Sequence, residues 1–381
     1  MSQNEKQKEW LASIYTKLIT KMSAECDRVG SDIPFFPYEG KYRDCMMPDG
    51  ISWWTNGFWP GMLWQMYNAT KNEKYKTTAE AVESRLDEAL QEFSKLHHDV
   101  GFMFMPSAVA NYRKTGNEAS FRRGMHAANI LAGRFNPSGN FIRAWDKSLW
   151  AENVNGWMII DSLLNLPLLY WASEESKNPS YAEIANRHAT TGLHSIIRED
   201  GSCNHIAAFD PVSGEFIGGV SGQGYDKDSS WSRGQAWAVY GYALAYRYTN
   251  KPEYINAAKR CAHYCIANLA VNDWLPLVDF RAPEQPVKHD SGASAIIICG
   301  LLEISEHVPE LEKQLYTDVA LKMLEVIEDS FVNWNSNEDG ILGGGSTMYH
   351  DDRMSNLSLI YGDYFFLEAI LRFNNKSMMI W

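Results

Sequence analysis

Two carboxylates stand where a protein would place groups that handle protons. Asp161 is the single charged side chain between Glu152 and Glu174, in NVNGWMIIDSLLNLPLLYWAS (153–173). Around it Trp157, Met158, Ile159, Ile160, Leu163, Leu164, Leu166, Leu168 and Leu169 cover every face of a helix, so a helix here is buried nearly all round. A carboxylate in such surroundings loses hydration, which favours its protonated form and suits it to donate near neutral pH. The competing reading is a buried Asp that caps a neighbouring loop. Asp99 follows two histidines in HHDVGF (97–102), where an apolar segment begins. It reads either as a second proton-handling group or as an N-cap.

The densest polar cluster runs from His205 to Trp237 and holds Gln223, Asp228, Trp231, Arg233 and Gln235. An Arg that enters a buried helix needs an anion or a carbonyl partner. That partner is a substrate carboxylate or, internally, Asp228. In SWWTNGFWPG (52–61), Trp53, Trp54 and Trp59 offer flat faces that stack on sugar rings or fill a core. Asp290 in KHDSGAS (288–294) reads as a helix cap, and Asp363 in the last apolar segment as structural. There is no nucleophile elbow, zinc spacing or nucleotide loop, so no metal and no cofactor is expected.

Composition limits the partners. A net charge of −12 disfavours nucleic acid and anionic membranes. Asp161, Asn165 and Pro167 argue against a membrane span in the long apolar stretch, which also lacks Lys/Arg flanks. Six cysteines show no CxxC pair, which fits free core thiols in a reducing compartment. The start MSQNEKQKEW has no apolar signal segment. The expected location is cytoplasmic, or periplasmic if a leader was trimmed.

The elements that must position these residues alternate in character. Charged amphipathic segments read at 5–28, 74–95, 118–133, 180–198, 253–269 and 310–331. Less charged, aromatic-rich segments read at 57–68, 104–112, 155–173, 231–248, 291–304 and 359–373. The i, i+3, i+4 spacing of Tyr254, Ala257, Ala258, Cys261, Ala262 and Cys265 is that of a one-sided helix. Short turns of one kind, TKNEKY, TGNEAS, SKNPSY and TNKPEY, lead from the second class into the first. Connections the other way are mostly long, about 20–30 residues, and loops of that length are usually functional. No segment alternates long enough for a large sheet. The expected fold is all-α: an (α/α)6 barrel of six helical hairpins, one domain over 1–381, with the long loops and the site on one face. A helical solenoid is the structural alternative.

WTNGFWPGMLW (54–64), HHDVGF (97–102), NLPLLYWAS (165–173), GDYFFLEAILRF (362–373) and above all SGQGYDKDSSWSRGQAWAVYGYALAYRYT (221–249) resemble the unsaturated glucuronyl hydrolases of glycoside hydrolase family 88. The likeness runs nearly end to end and implies an (α/α)6 barrel, which agrees with the helix pattern. It implies a hydrolase for oligosaccharides left by polysaccharide lyases, whose non-reducing uronic acid carries a C4=C5 double bond. Such enzymes add a proton to C4 and water to C5, and the hemiketal then opens and releases the rest of the sugar. The carboxylate-spacing rule of ordinary glycosidases does not apply, because the anomeric carbon is not attacked. By this resemblance Asp161 is the acid/base and Asp99 the assisting carboxylate. His205, Gln223, Trp231 and Arg233 match substrate contacts, with Trp54 a stacking residue. In STMYHDDRMSN (346–356), Arg353 could meet a sulfate that two adjacent Asp would repel. Three other readings remain: an unsaturated rhamnogalacturonyl hydrolase of family 105, a glycan-binding barrel without catalysis, and a sugar epimerase. The epimerase would need a second His beside His205. Oligomeric state is not readable from this sequence.

Overall fold

The computed structural model describes residues 3–148 and 151–381. The first long helix, α1 (Gln3–Val29), leads into a loop and then α2 (Phe58–Thr70), α3 (Glu73–Arg85) and α4 (Asp87–Glu92). Next come α5 (Val100–Phe104), a π-turn (Met105–Val109), α6 (Ala110–Thr115) and α7 (Glu118–Ala132). Two short strands follow, β1 (Phe135–Asn136) and β2 (Phe141–Ile142), then β3 (Trp157–Ile159) and a 3-10 turn (Ile160–Leu164). After α8 (Pro167–Ser176) and α9 (Pro179–Ser195), β4 (Ile206–Phe209) and β5 (Phe216–Val220) complete an antiparallel sheet in the order β3-β4-β5. The chain ends with α10 (Ser232–Thr249), α11 (Pro252–Ala270), α12 (Ser291–Ser305), α13 (Glu310–Phe331) and α14 (Ile360–Phe373).

The inner ring follows from contact order. α2 packs on the π-turn and α6, α5 on α8, α10 on α8 and the 3-10 turn, α12 on α10 and α14, and α14 back on α2. That return contact closes the barrel, as expected for six hairpins and not for a solenoid. The two helix classes differ in burial. All of α12 is buried, whereas α11 buries Tyr254, Ala257, Ala258, Cys261, Ala262, Cys265 and Leu269 on one stripe. A buried Leu contributes about 1.5–3 kcal/mol relative to exposure, so the stripe alone fixes how α11 lies on the barrel. Asn72, Asn117 and Asn178 each accept a backbone N–H at the start of the next helix. They follow Lys71, Gly116 and Lys177 in the left-handed region, which ends the preceding helix.

Three expected helices are corrected. The 155–173 helix is instead strand β3, a 3-10 turn and α8. Trp157–Ile159 pairs with β4, and α8 starts only at Pro167, whose ring suits a first helical turn. The 104–112 helix is interrupted by the π-turn, where Pro106 lacks the N–H an α-ladder needs. The 74–95 helix divides between α3 and α4 at Leu86. The strands escaped notice because runs of two to five residues carry no visible alternation.

The cysteines are free and five of the six are buried, as expected for core thiols. Asp363 is structural, accepting from Ile341 N, Leu342 N and Tyr42 Oη. Among the described residues, no helix is long and apolar enough to cross a membrane.

One buried group gives a stability prediction. Glu25 on α1 is wholly buried 3.4 Å from Lys21, and burial outweighs the ammonium and pushes its pKa up to about 8. Between the ordinary 4.5 and that value the folded protein holds a proton that the unfolded chain has released. Stability from this group is therefore complete below pH 4.5 and lost as pH rises through about 8. Glu25→Gln should raise the melting temperature at pH 8 and change it far less at pH 5. An equal shift at both would reject this assignment.

Candidate active site

The connections between helices meet over a cavity of about 940 Å³. The 30–57 connection contributes Trp53 and Trp54, the 93–99 turn His97 and Asp99, and the 133–159 connection Trp145, Lys147 and Ile159. Asp161 enters from the 3-10 turn, Gln223 and Trp231 from the approach to α10 and Arg233 from its first turn, Met348 and Asp351 from the last connection and Tyr361 from the start of α14. Six of the seven residues singled out in the sequence thus line one cavity: Trp54, Asp99, Asp161, Gln223, Trp231 and Arg233. The seventh, His205, sits beside Asp161.

Asp161 owes its position to β3. The strand carries the chain to the barrel mouth, and the tight turn Ile160–Leu164 aims the carboxylate into the cavity. Its Oδ1 lies 3.6 Å from His205 Nε2. His205 Nδ1 accepts the backbone N–H of Gln223 at 3.0 Å, which places the ring proton on Nε2, facing Asp161. The ring also packs on Trp231, centroids 4.4 Å apart. A Cβ at position 222 would fall 2.0 Å from His205 Nδ1, so only Gly222 lets the loop backbone come this close.

Asp99 begins α5, yet its side chain makes no capping bond, contrary to the N-cap alternative. Its Oδ2 lies 3.2 Å from His98 Nε2 and 3.5 Å from His97 Nδ1, and its Oδ1 accepts from Asn165 Nδ2 at 3.2 Å. Burial pushes the Asp99 carboxyl well above the usual carboxylate range, and whenever Asp161 is ionised its charge adds to the rise. Burial holds His97 down at about 4 and His98 well below its usual value, so both rings are neutral. His97, His98 and Asp99 also bring one ligand-type atom each within 4.8 Å of one another.

Arg233 is wholly buried and its partner is Asp290, not Asp228. Asp228 is exposed and paired with Lys227. Asp290, expected to cap α12, makes no side-chain cap bond there. Arg233 also donates to Ser346 O at 2.6 Å and Thr347 O at 2.5 Å, and lies between the rings of Trp231 and Tyr361. Gln223 Nε2 donates to the same Thr347 carbonyl at 2.8 Å, so both residues hold the last loop in place. Trp54 stacks on Tyr361 at 5.3 Å with its flank toward the cavity.

Sequence reading missed several contributors. Tyr361 lies inside the apolar run 360–373, where nothing marks a site residue. His98 and Asn165 act behind the wall and are wholly buried. Asp279 accepts from Tyr225 N, Ser229 Oγ, Ser230 N and Arg281 N, which folds the loop ahead of Trp231. The need of Arg233 for an anion was the available signal for Asp290, but sequence proximity favoured Asp228.

Residues 36–372 match the family model described as Glycosyl Hydrolase Family 88. The chain is 36% identical over 333 residues to the unsaturated glucuronyl hydrolase of Bacillus sp. (strain GL1), covering 86% of this chain and 88% of that protein. It is 35% identical over 335 residues to the unsaturated chondroitin disaccharide hydrolase of Streptococcus pyogenes serotype M1, covering 86% and 83%. The crystal structure of the Bacillus sp. GL1 enzyme, described as responsible for the degradation of glycosaminoglycan, superposes with a TM-score of 0.88 at 33% identity, covering 95% of this chain and 96% of that one. The closed ring of hairpins, the paired carboxylates in an aromatic cavity and this likeness agree: the chain belongs to glycoside hydrolase family 88 and is a glycosidase.

Proposed function

We propose that the chain, working as one catalytic unit, hydrates the C4=C5 double bond of the unsaturated uronic acid at the non-reducing end of lyase-generated glycosaminoglycan oligosaccharides. The observation that carries this reading is the pair Asp161 and Asp99, both lining one cavity walled by Trp54, Trp231 and Tyr361 and joined through Asn165. Asp161 delivers a proton to C4, and positive charge builds on C5 and the ring oxygen. Water adds to C5 and returns its second proton to Asp161, so the carboxyl ends as it began. The hemiketal opens, and the C1 centre expels the remaining sugar. His205, its Nε2 proton toward Asp161, orients the carboxylate.

Asp99 does its work by staying protonated. The uronate brings its own negative charge into a cavity that Asp161 also lines, and an ionised Asp99 would add another. Activity that depends on protonated Asp99 is present at low pH and lost as pH rises through its raised pKa. Asp99→Asn should abolish that alkaline limb, and a limb unchanged in the variant would remove Asp99 from this role.

The last loop bears on substrate class. Asp351 lines the cavity, while the Arg353 side chain is 89% exposed and pairs with Asp351. A sulfate beside this loop would meet a carboxylate before a guanidinium, which favours disaccharides unsulfated at that position. Incubation with lyase-generated chondroitin disaccharides, followed by loss of ultraviolet absorbance, tests both points. Unsulfated substrate should turn over fastest. Absorbance that stays constant with every disaccharide would reject the function, and faster turnover of sulfated ones would reject the preference.

A further inference from the structure

Behind the two carboxylates lies a residue that touches neither the cavity nor any substrate position. Asn165 is wholly buried, and each end of its side-chain amide is engaged. Its Nδ2 donates to Asp99 Oδ1 at 3.2 Å and to the backbone carbonyl of Asp161 at 3.1 Å. Its Oδ1 accepts the backbone N–H of Phe102 at 2.8 Å, the first turn after Asp99. One planar amide therefore joins two segments far apart in sequence, the 97–102 turn and the 3-10 turn that carries Asp161. The packing is made for it, since a Cβ on Gly101 would fall 2.5 Å from Asn165 Oδ1.

We propose that Asn165 is a positioning residue that binds Asp99 and the Asp161 turn into one rigid unit and so sets their relation during proton transfer. The proposal rests on the reading that these two carboxylates do the chemistry. Its logic is geometric: among the described residues, the helix start that carries Asp99 and the strand-end turn that carries Asp161 are tied by side chains, Asn165 directly at the two carboxylate residues and the His98 Nδ1–Ser162 Oγ pair, 3.1 Å apart, beside them. A shift of either turn would misalign the proton with C4, and small misplacements of catalytic groups cost large factors in rate. The amide also bears on the proton. Its donor bond favours ionised Asp99 and opposes burial and the charge of Asp161, which favour the neutral form.

Asn165→Asp keeps an acceptor for Phe102 N and removes the amide donor, so it separates the clamp from the fold. With unsulfated unsaturated chondroitin disaccharide as probe, kcat should fall by about 10–10² while KM stays within about threefold. The alkaline limb of the pH profile should move upward, because Asp99 has lost a donor and gained an acidic neighbour. In the Asp99→Asn background Asn165→Asp should still lower kcat, because the bond to the Asp161 carbonyl is lost as well, but there should be no alkaline limb left to move. If Asn165→Asp does not fold, Asn165→Ser, too short to span both turns, carries the same expectation for kcat. A normal kcat with an unmoved pH profile, in whichever variant folds, would overturn the proposal, as would a lower melting temperature as the sole change. A parallel assay of Asp161→Asn separates the two levels. If it is impaired and Asn165→Asp is normal, only the positioning role fails. If it is active, the carboxylate reading fails and this proposal with it.

Discussion

Asp161→Asn should lower turnover by about 10²–10⁴ while leaving substrate binding largely intact, the usual worth of general acid–base catalysis. The amide keeps the shape of the side chain and fills the same place beside His205 Nε2, 3.6 Å from Oδ1 in the parent. What it loses is the exchangeable proton. Lowered kcat with KM little changed is the signature of an interaction made only in the transition state. Near-normal turnover in this variant would remove Asp161 from the mechanism, whatever its position in the cavity.

Arg233→Met should cost about 3–5 kcal/mol of stability, because it leaves Asp290 wholly buried without its counter-charge. It also frees the carbonyls of Ser346 and Thr347, which Arg233 holds. Since those carbonyls belong to the loop that lines the cavity through Met348 and Asp351, KM should rise along with the loss of stability. The gentler Arg233→Lys keeps the charge but not the planar fork. It should raise KM more than it lowers kcat. Melting temperature and KM measured on one sample decide the matter. A destabilised variant with unchanged KM would confine Arg233 to a structural role. Adding Asp290→Leu to Arg233→Met should recover part of the lost stability, because an apolar pair replaces the orphaned charge.

The helices were legible where physics writes itself locally. The Asn turns at 70–75, 115–120 and 176–181 end one helix and cap the next through side chains only a few residues away. The contrast between one-sided α11 and fully buried α12 likewise sits in their own residues. The stretch around Asp161 misled because burial on every face looks the same in a helix and in a strand followed by a turn. What separates them is the pairing of Trp157–Ile159 with Ile206–Ala208, a contact about fifty residues distant that no local pattern announces. The cavity residues were found because Asp, His, Trp and Arg are conspicuous in apolar segments. Their supports were not, since Asn165, Asp279 and Asp290 look like ordinary loop and cap residues until the fold brings them to their partners.

The central claim is that a proton is added to C4 by a group on the protein before the glycosidic link is lost. Turnover of an unsaturated disaccharide in deuterium oxide, stopped early and read by nuclear magnetic resonance, addresses it directly. The account predicts one deuterium at C4, on a single face, in the first-formed product. Product released with C4 unlabelled and the double bond intact would contradict it.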